Sequence, residues 1–237
     1  MIALIDAGNT TTEIKILNPK DNSYLNNYLL FTNEIVNNIK KIEITEQINS
    51  VIFTSVVPQM NQIIIDSFKN VKVLNVKESN KLIADDFSID TKILGSDLIT
   101  NFYALKNESD FILVTLGTAT TLVVGKDKKF VTRIICPGIK SSIEGLKNNV
   151  KGFAIDSDMS YKKINSLDGL STIDALTYGT FVGHKKMIEG LVDELKKTYN
   201  VKKVFITGGL SEKLKDLLNP EGTMSPNLIF EGLKFFI

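Results

Sequence analysis

Apolar and polar positions fall into a pattern that occurs twice along the chain. Residues 1–5 are apolar, Asp6-Ala7-Gly8-Asn9-Thr10-Thr11-Thr12 is largely polar, and Ile14, Ile16 and Leu17 then resume an apolar pattern. That sequence predicts two strands joined by a tight polar turn. The same order returns at residues 111–116, nearly all apolar, followed by Gly117-Thr118-Ala119-Thr120-Thr121 and by Leu122-Val123-Val124. Placing Gly8 on Gly117 gives an offset of 109 residues (117 minus 8), which sets Thr11 on Thr120, Thr12 on Thr121 and Asp6 on Thr115. The chain therefore reads as two related halves, 1–107 and 108–237.

Between and after the repeats, strand patterns at 24–31, 51–57, 71–76, 130–136 and 204–206 alternate with helical patterns. The predicted helices cover 33–41, with Thr32 as a cap, then 61–68, 98–105, 139–148, 172–198, 210–218 and 229–236. Residues 152–170 read as irregular. Strands followed by helices predict an α/β layer architecture. The terminal helix carries Leu228, Ile229, Leu233 and Phe236 and is expected to dock on the second half. Gly179, Gly183 and Gly190 interrupt the long helix at 172–198, which suggests close packing, with a second subunit as one candidate, or a bend.

The chain has 237 residues, enough for one large or two small cores. Lys plus Arg number 28 against 27 Asp plus Glu, so charge gives no case for a nucleic-acid or membrane-surface partner. One cysteine, Cys136, and one histidine, His184, exclude an intrachain disulfide and a Cys/His zinc cluster. No apolar run approaches the ~18 residues of a membrane span, and the N-terminal pattern is that of a buried strand rather than a signal segment. A soluble cytoplasmic protein is the expectation.

The turns carry the candidate chemistry. Gly8 lets backbone approach a ligand, the threonines supply hydroxyls, and exposed turn N–H groups suit an anion. Asp6 at a strand end suits a hard cation such as magnesium. Gly-Asn and Gly-Thr turns also serve as plain hairpin connectors. The repetition, together with Asp6, favours a phosphate site. In Gly95-Ser96-Asp97, the aspartate is either a helix cap or a functional carboxylate. Thr207-Gly208-Gly209, after a strand, would let backbone approach a base or ribose. His184, beside Lys185 and Lys186, reads as a surface or cleft-edge residue.

Taken in order, these segments resemble the type III pantothenate kinases of the acetate and sugar kinase, Hsp70 and actin superfamily. Asp6-Ala7-Gly8-Asn9-Thr10 is similar to the family's first phosphate motif and Gly117-Thr118-Ala119-Thr120-Thr121 to its second. Ser55-Val56-Val57-Pro58, Gly95-Ser96-Asp97, Pro137-Gly138, Thr172 with Gly179, Thr207-Gly208-Gly209 and Glu231-Gly232 follow in the family's order. The resemblance implies duplicated ribonuclease H-like (actin-like ATPase) domains with a nucleotide between them. It also implies ATP-dependent phosphorylation of pantothenate, the first step of coenzyme A biosynthesis, by a homodimer.

The resemblance assigns roles by residue. Asp6 would position magnesium and Asp97 would be the general base. Gly8, Asn9, Thr10, Thr11, Gly117, Thr118, Thr120 and Thr121 would hold phosphates. Thr207, Gly208 and Gly209 would lie near the adenosine, and Gly95, Ser96 and Thr172 near pantothenate. The sequence departs from the family at four places. Thr115 stands where an aspartate is tied to a monovalent cation, which leaves potassium or ammonium dependence open. Val123 replaces a second aspartate. Leu98 replaces an arginine expected to contact pantothenate, with Arg133 as a candidate substitute. Thr132-Arg133 stands where a glycine pair is usual. A kinase of another small hydroxylated acid, or a non-catalytic nucleotide-binding regulator, are the alternative readings.

Overall fold

The structure, a computed structural model, describes residues 1–32, 35–150, 163–164, 166–215 and 222–237. The chain forms two compact units, one of Met1–Glu108, Lys128–Phe130 and Asn227–Ile237, the other of Ser109–Asp127 and Val131–Pro226.

The first unit is built on a five-stranded sheet ordered β3-β2-β1-β4-β5. Its strands are β1 (Ile2–Ala7), β2 (Thr11–Asn18), β3 (Ser23–Phe31), β4 (Ser50–Ser55) and β5 (Lys72–Asn75). β1, β2 and β3 form an antiparallel meander, whereas β4 runs parallel to β1 and β5 parallel to β4. β1 is central and covered on both faces, which is why its apolar run is continuous. Ala3, Ile5, Ala7, Ile14, Ile16, Val51 and Phe53 point to one face. They pack with Ile35, Ile39 and Ile42 of α1 (Ile35–Glu46) and with Met60 and Ile64 of α2 (Pro58–Ser67).

The second unit repeats this plan with a five-stranded sheet ordered β10-β9-β6-β7-β8. β6 (Phe111–Leu116) and β7 (Ala119–Lys126) are antiparallel, β8 (Lys129–Pro137) lies beyond β7, and β9 (Lys203–Thr207) runs parallel to β6. Only the short β10 (Thr223–Met224) lacks a counterpart in the sequence reading. Ile112, Val114, Leu116, Leu122 and Val124 pack against Ile143 of α4 (Ile139–Asn149) and Phe181, Ile188, Val192 and Leu195 of α5 (Thr172–Tyr199). Ser171 caps α5 by accepting the Asp174 N–H at 3.1 Å, and Asn200 ends it in the left-handed region at φ 53°. Of the predicted helix at 210–218, residues 210–214 form turns, and 216–218 lie outside the described residues, as do 152–162 and 165 of the segment read as irregular.

The C-terminal helix differs from the expectation that it docks on the second half. α6 (Leu228–Lys234) belongs to the first unit, where it packs on α3 (Ser96–Leu105), β1 and β4. The cause is an aromatic and cationic contact that apolar spacing alone does not specify. Lys15 on β2 is buried, its Nζ lies 4.4 Å from the Phe230 ring centroid and 5.3 Å from that of Tyr24, and it donates to Asn227 Oδ1. Phe235 stacks on Tyr103 of α3 at 4.5 Å, with Phe236 edge-on at 5.2 Å.

Replacing Phe230 by alanine removes a fully buried ring and one face of the Lys15 cage. Such truncations cost about 3–5 kcal/mol. Urea unfolding of F230A should show a loss of that size, whereas a loss under about 1 kcal/mol would contradict the docking described.

Candidate active site

In the first hairpin the last cross-strand pair is Ala7 with Thr12, which leaves Gly8 to Thr11 as the turn. Gly8 N–H donates to Thr11 O at 2.9 Å. Thr32, expected as a helix cap, instead donates its hydroxyl to Gly8 O at 2.8 Å and lies 3.2 Å from the Thr12 hydroxyl. The turn is thus braced from β3, and Asn9 and Thr10 stand exposed.

The second hairpin is one residue tighter. Its last pair is Leu116 with Thr120, and Gly117 N–H donates to Ala119 O at 3.1 Å. The uniform offset of 109 therefore fails after the glycine. The counterpart of Thr12 is Thr120, at an offset of 108 (120 minus 12), and not Thr121. Gly138 supports this turn at close quarters. Its N–H donates to Thr118 O at 3.0 Å, and a Cβ there would sit 2.3 Å from Gly117 O. The Ser141 hydroxyl donates to the same Thr118 carbonyl at 2.6 Å.

The corrected register aligns two rows across the sheets. In the first unit the row is Thr54, Asp6 and Glu13; in the second it is Thr207, Thr115 and Thr121. Two carboxylates thus correspond to two threonines. The hydroxyl oxygens of Thr54, Thr115 and Thr121 are shielded from solvent without a hydrogen-bond partner among the described residues.

Negative charge gathers in the first unit. Burial, then the charge of Asp97, then that of Glu13 raise the Asp6 pKa from 3.8 to about 7. Asp97, in the first turn of α3, is also raised by burial, with hydrogen bonds from the Leu98 and Asp97 N–H groups opposing the shift. Gly95, not Ser96 or Asp97, caps this helix. Ser96 is buried and latches α3 to β4: its hydroxyl donates to Ser55 O at 2.6 Å and accepts from Ser55 N–H at 2.9 Å. Glu13 was missed in the sequence reading, although its place directly opposite Asp6 follows once the turn length is fixed. Its carboxylate lies 3.6 Å from Lys15 Nζ.

Among the described residues no group of three or more His, Cys, Asp and Glu side chains could cage a metal. The uncompensated charge at Asp6 nevertheless suits magnesium, which keeps most of its waters and binds through one or two carboxylates and substrate phosphates.

The remaining candidates are dispersed. Thr172 is exposed in the first turn of α5, and Arg133 is half-buried on β8. Leu98 is buried at 5% exposure, so an apolar side chain occupies that position. Thr207 is buried at the end of β9. Gly208 adopts φ 101° and lies so close to β6 that a Cβ would meet Leu116 O at 2.4 Å. His184 is not a surface residue: it is 8% exposed, and its Nε2 lies 2.9 Å from the Thr120 hydroxyl. Asp86 accepts from the Tyr103 hydroxyl at 2.9 Å and pairs with Lys106 at 2.5 Å.

Two matching sheets, each opening on a glycine turn that follows its central strand, define a duplicated actin-like ATPase fold. Solved structures share it: a protein described as a Baf family transcriptional activator from Campylobacter jejuni (TM-score 0.65, 20% identity, 99% of this chain and 96% of that one). The activator of the 2-hydroxyisocaproyl-CoA dehydratase from Clostridium difficile, with bound ADPNP, also matches (TM-score 0.56, 12% identity, 98% and 92%). The chain belongs to the type III pantothenate kinase family, whose sequence model matches residues 2–194. The type III pantothenate kinase of Pelagibacter ubique (strain HTCC1062) is 30% identical over 98% of this chain and 97% of its own. That of Sulfurihydrogenibium sp. (strain YO3AOP1) is 27% identical over 99% and 98%.

A carboxyl whose pKa is raised on folding stabilises the protein below its unfolded pKa and loses that contribution as pH rises through the folded value. Wild-type protein without magnesium should therefore lose stability between pH 4 and 7 through Asp6. One pKa unit is about 1.4 kcal/mol, so the loss is on the order of 2–4 kcal/mol once solvent screening is allowed for. Asp6→Asn should remove it, giving a variant whose advantage over wild type in urea melts grows from pH 4 to 7 and then levels off. Equal stability of the two proteins at pH 8 would contradict the electrostatics described.

Proposed function

We propose how this member of the type III pantothenate kinases carries out its reaction, the ATP-dependent phosphorylation of pantothenate to 4'-phosphopantothenate. Phosphoryl transfer asks a protein mainly for positioning and charge stabilisation. The first turn, Gly8 to Thr11, and the second, Gly117 to Ala119, hold the phosphates through the groups they leave exposed, at Asn9 and Thr10 and at Thr118. Gly8, Gly117 and Thr120 shape the turns, since their own N–H or hydroxyl groups are already bonded. The shielded oxygen of Thr121 stands behind that turn rather than in it. Asp6 provides the protein ligand for magnesium, with Glu13 adding charge beside it. A bound magnesium ion would neutralise phosphate charge as the bond to the leaving oxygen breaks.

Asp97 acts as general base. It accepts the proton of the primary hydroxyl as that oxygen bonds to the γ-phosphorus and ADP departs. What supports this reading is that the charge of Asp97 helps to raise the Asp6 pKa, so the proposed base and the proposed metal ligand act on each other within one unit. Burial raises the pKa of Asp97, which makes its carboxylate a stronger base than a solvated one. The Ser96 latch fixes the start of α3 and so the direction of that carboxylate.

Gly95 and Thr172 belong to the acceptor site, and Thr207, Gly208 and Gly209 to the adenosine side. With Leu98 buried and apolar, the acceptor's carboxylate needs another cation, and Arg133 is proposed for it. Two copies associate along α5. Gly179, Gly183 and Gly190 support this, since among the described residues no atom outside the helix's own adjacent backbone lies within 4 Å of a Cβ added at any of them. No helix among the described residues is long and apolar enough to cross a membrane.

Asp97→Asn should lower kcat for pantothenate by about 10²–10⁴-fold, the usual worth of a positioned base, with a melting temperature no lower than that of the wild type. A variant turning over at more than a tenth of the wild-type rate would remove Asp97 from this role. Arg133→Met should raise the KM for pantothenate at least about tenfold, the equivalent of one charge-assisted hydrogen bond, and leave the KM for ATP alone. An unaltered pantothenate KM would exclude Arg133, and faster ADP release with another hydroxylated acid would redirect the acceptor assignment.

A further inference from the structure

The two hairpins are braced differently. In the first, the Thr12 hydroxyl at the start of β2 meets the hydroxyl of Thr32, which also holds the turn carbonyl of Gly8. In the second, the structurally equivalent Thr120 takes its partner from a helix instead. Its hydroxyl, 1% exposed, is met by His184 Nε2 at 2.9 Å, projecting from the middle of α5. The rest of the turn is fixed through its backbone by Gly138 and Ser141. His184 thus connects the long helix to Thr120, the first residue of β7 that pairs with β6.

We infer that His184 is a positioning residue for nucleotide binding, its imidazole fixing Thr120 and with it the Gly117–Thr120 turn. The inference rests on the reading that this hairpin contacts phosphate. The chemistry suits the task. Burial keeps the proton affinity of the ring below the usual histidine value, so at neutral pH the imidazole is uncharged, with one donor and one acceptor nitrogen. Either tautomer satisfies a hydroxyl, which both donates and accepts. The same ring lines a pocket of about 430 Å³ with Ser142, Leu146, Leu176, Thr180 and Met187. The imidazole therefore has hairpin on one side and open space on another, and packing alone does not hold it. Losing the bond frees the threonine rotamer and leaves a buried polar group without a partner.

The test uses His184→Gln, whose amide nitrogen can occupy the position of Nε2, His184→Asn, whose amide cannot reach it, Thr120→Val, and the double variant H184N/T120V. Calorimetry measures the affinity of each for an unreactive ATP analogue with magnesium, alongside melting temperature and steady-state kinetics. H184N and T120V should each weaken binding about tenfold, the equivalent of one hydrogen bond with a buried partner. H184Q should remain within about threefold of wild type. The double variant should be no weaker than T120V alone, because both changes remove one interaction. The KM for ATP should rise in step with the loss of affinity for the analogue.

If T120V weakens binding while H184N does not, or if the two losses add, His184 has no positioning role and the phosphate reading stands. If T120V binds like wild type, the phosphate reading of the hairpin falls and the inference with it. Equal loss in H184Q and H184N, with melting temperatures lowered together, would make the residue structural only.

Discussion

A carboxylate at the end of a buried central strand, set beside two others, is the constraint around which the first unit is arranged. β1 places Asp6 where its charge is poorly solvated, pairing places Glu13 directly opposite, and α3 brings Asp97 near. Folding does not relieve this repulsion; it creates it. The surrounding structure is correspondingly overdetermined. Ser96 ties α3 to β4 through two hydrogen bonds, Thr32 ties the turn to β3, and α6 clamps Lys15 beside Glu13. Such a site is stable enough to persist yet short of positive charge, and that shortage favours a cation carrying phosphates.

The second unit shows what the same topology does without that charge. Its sheet has the matching strand order, but the row equivalent to Thr54, Asp6 and Glu13 contains only threonines. Its turn is a residue shorter and is held by Gly138, Ser141 and His184 rather than by an edge-strand threonine. The two units share a glycine hairpin after the central strand, and the paired acids lie in only one of them. The buried carboxylates accordingly concentrate in the unit that also contains α3.

Much of the architecture was legible in the residues. The apolar runs at 2–5 and 111–116, each closed by a glycine turn, announced the duplication, and the capping serine and left-handed asparagine bound α5 closely to its predicted span. Features that depend on three-dimensional pairing were not. The extra residue in the first turn is invisible to a uniform offset, so Thr12 was set on Thr121 and Glu13 passed unnoticed. His184 sits between glycine and two lysines, which suggested solvent, whereas its ring turns inward to a threonine 64 positions away. Apolar spacing in the last helix showed that a face would be buried, but the choice of unit was made by Lys15, Tyr24 and Tyr103.

The central claim is that Asp97 activates the acceptor hydroxyl beside a metal ligand at Asp6. A crystal structure with pantothenate, magnesium and an unreactive ATP analogue measures this directly. The account predicts an Asp97 carboxylate oxygen within about 2.6–3.2 Å of the primary hydroxyl, with the metal coordinated by Asp6. A hydroxyl held instead by Glu13 or another acid, with Asp97 turned away from it, would contradict the account.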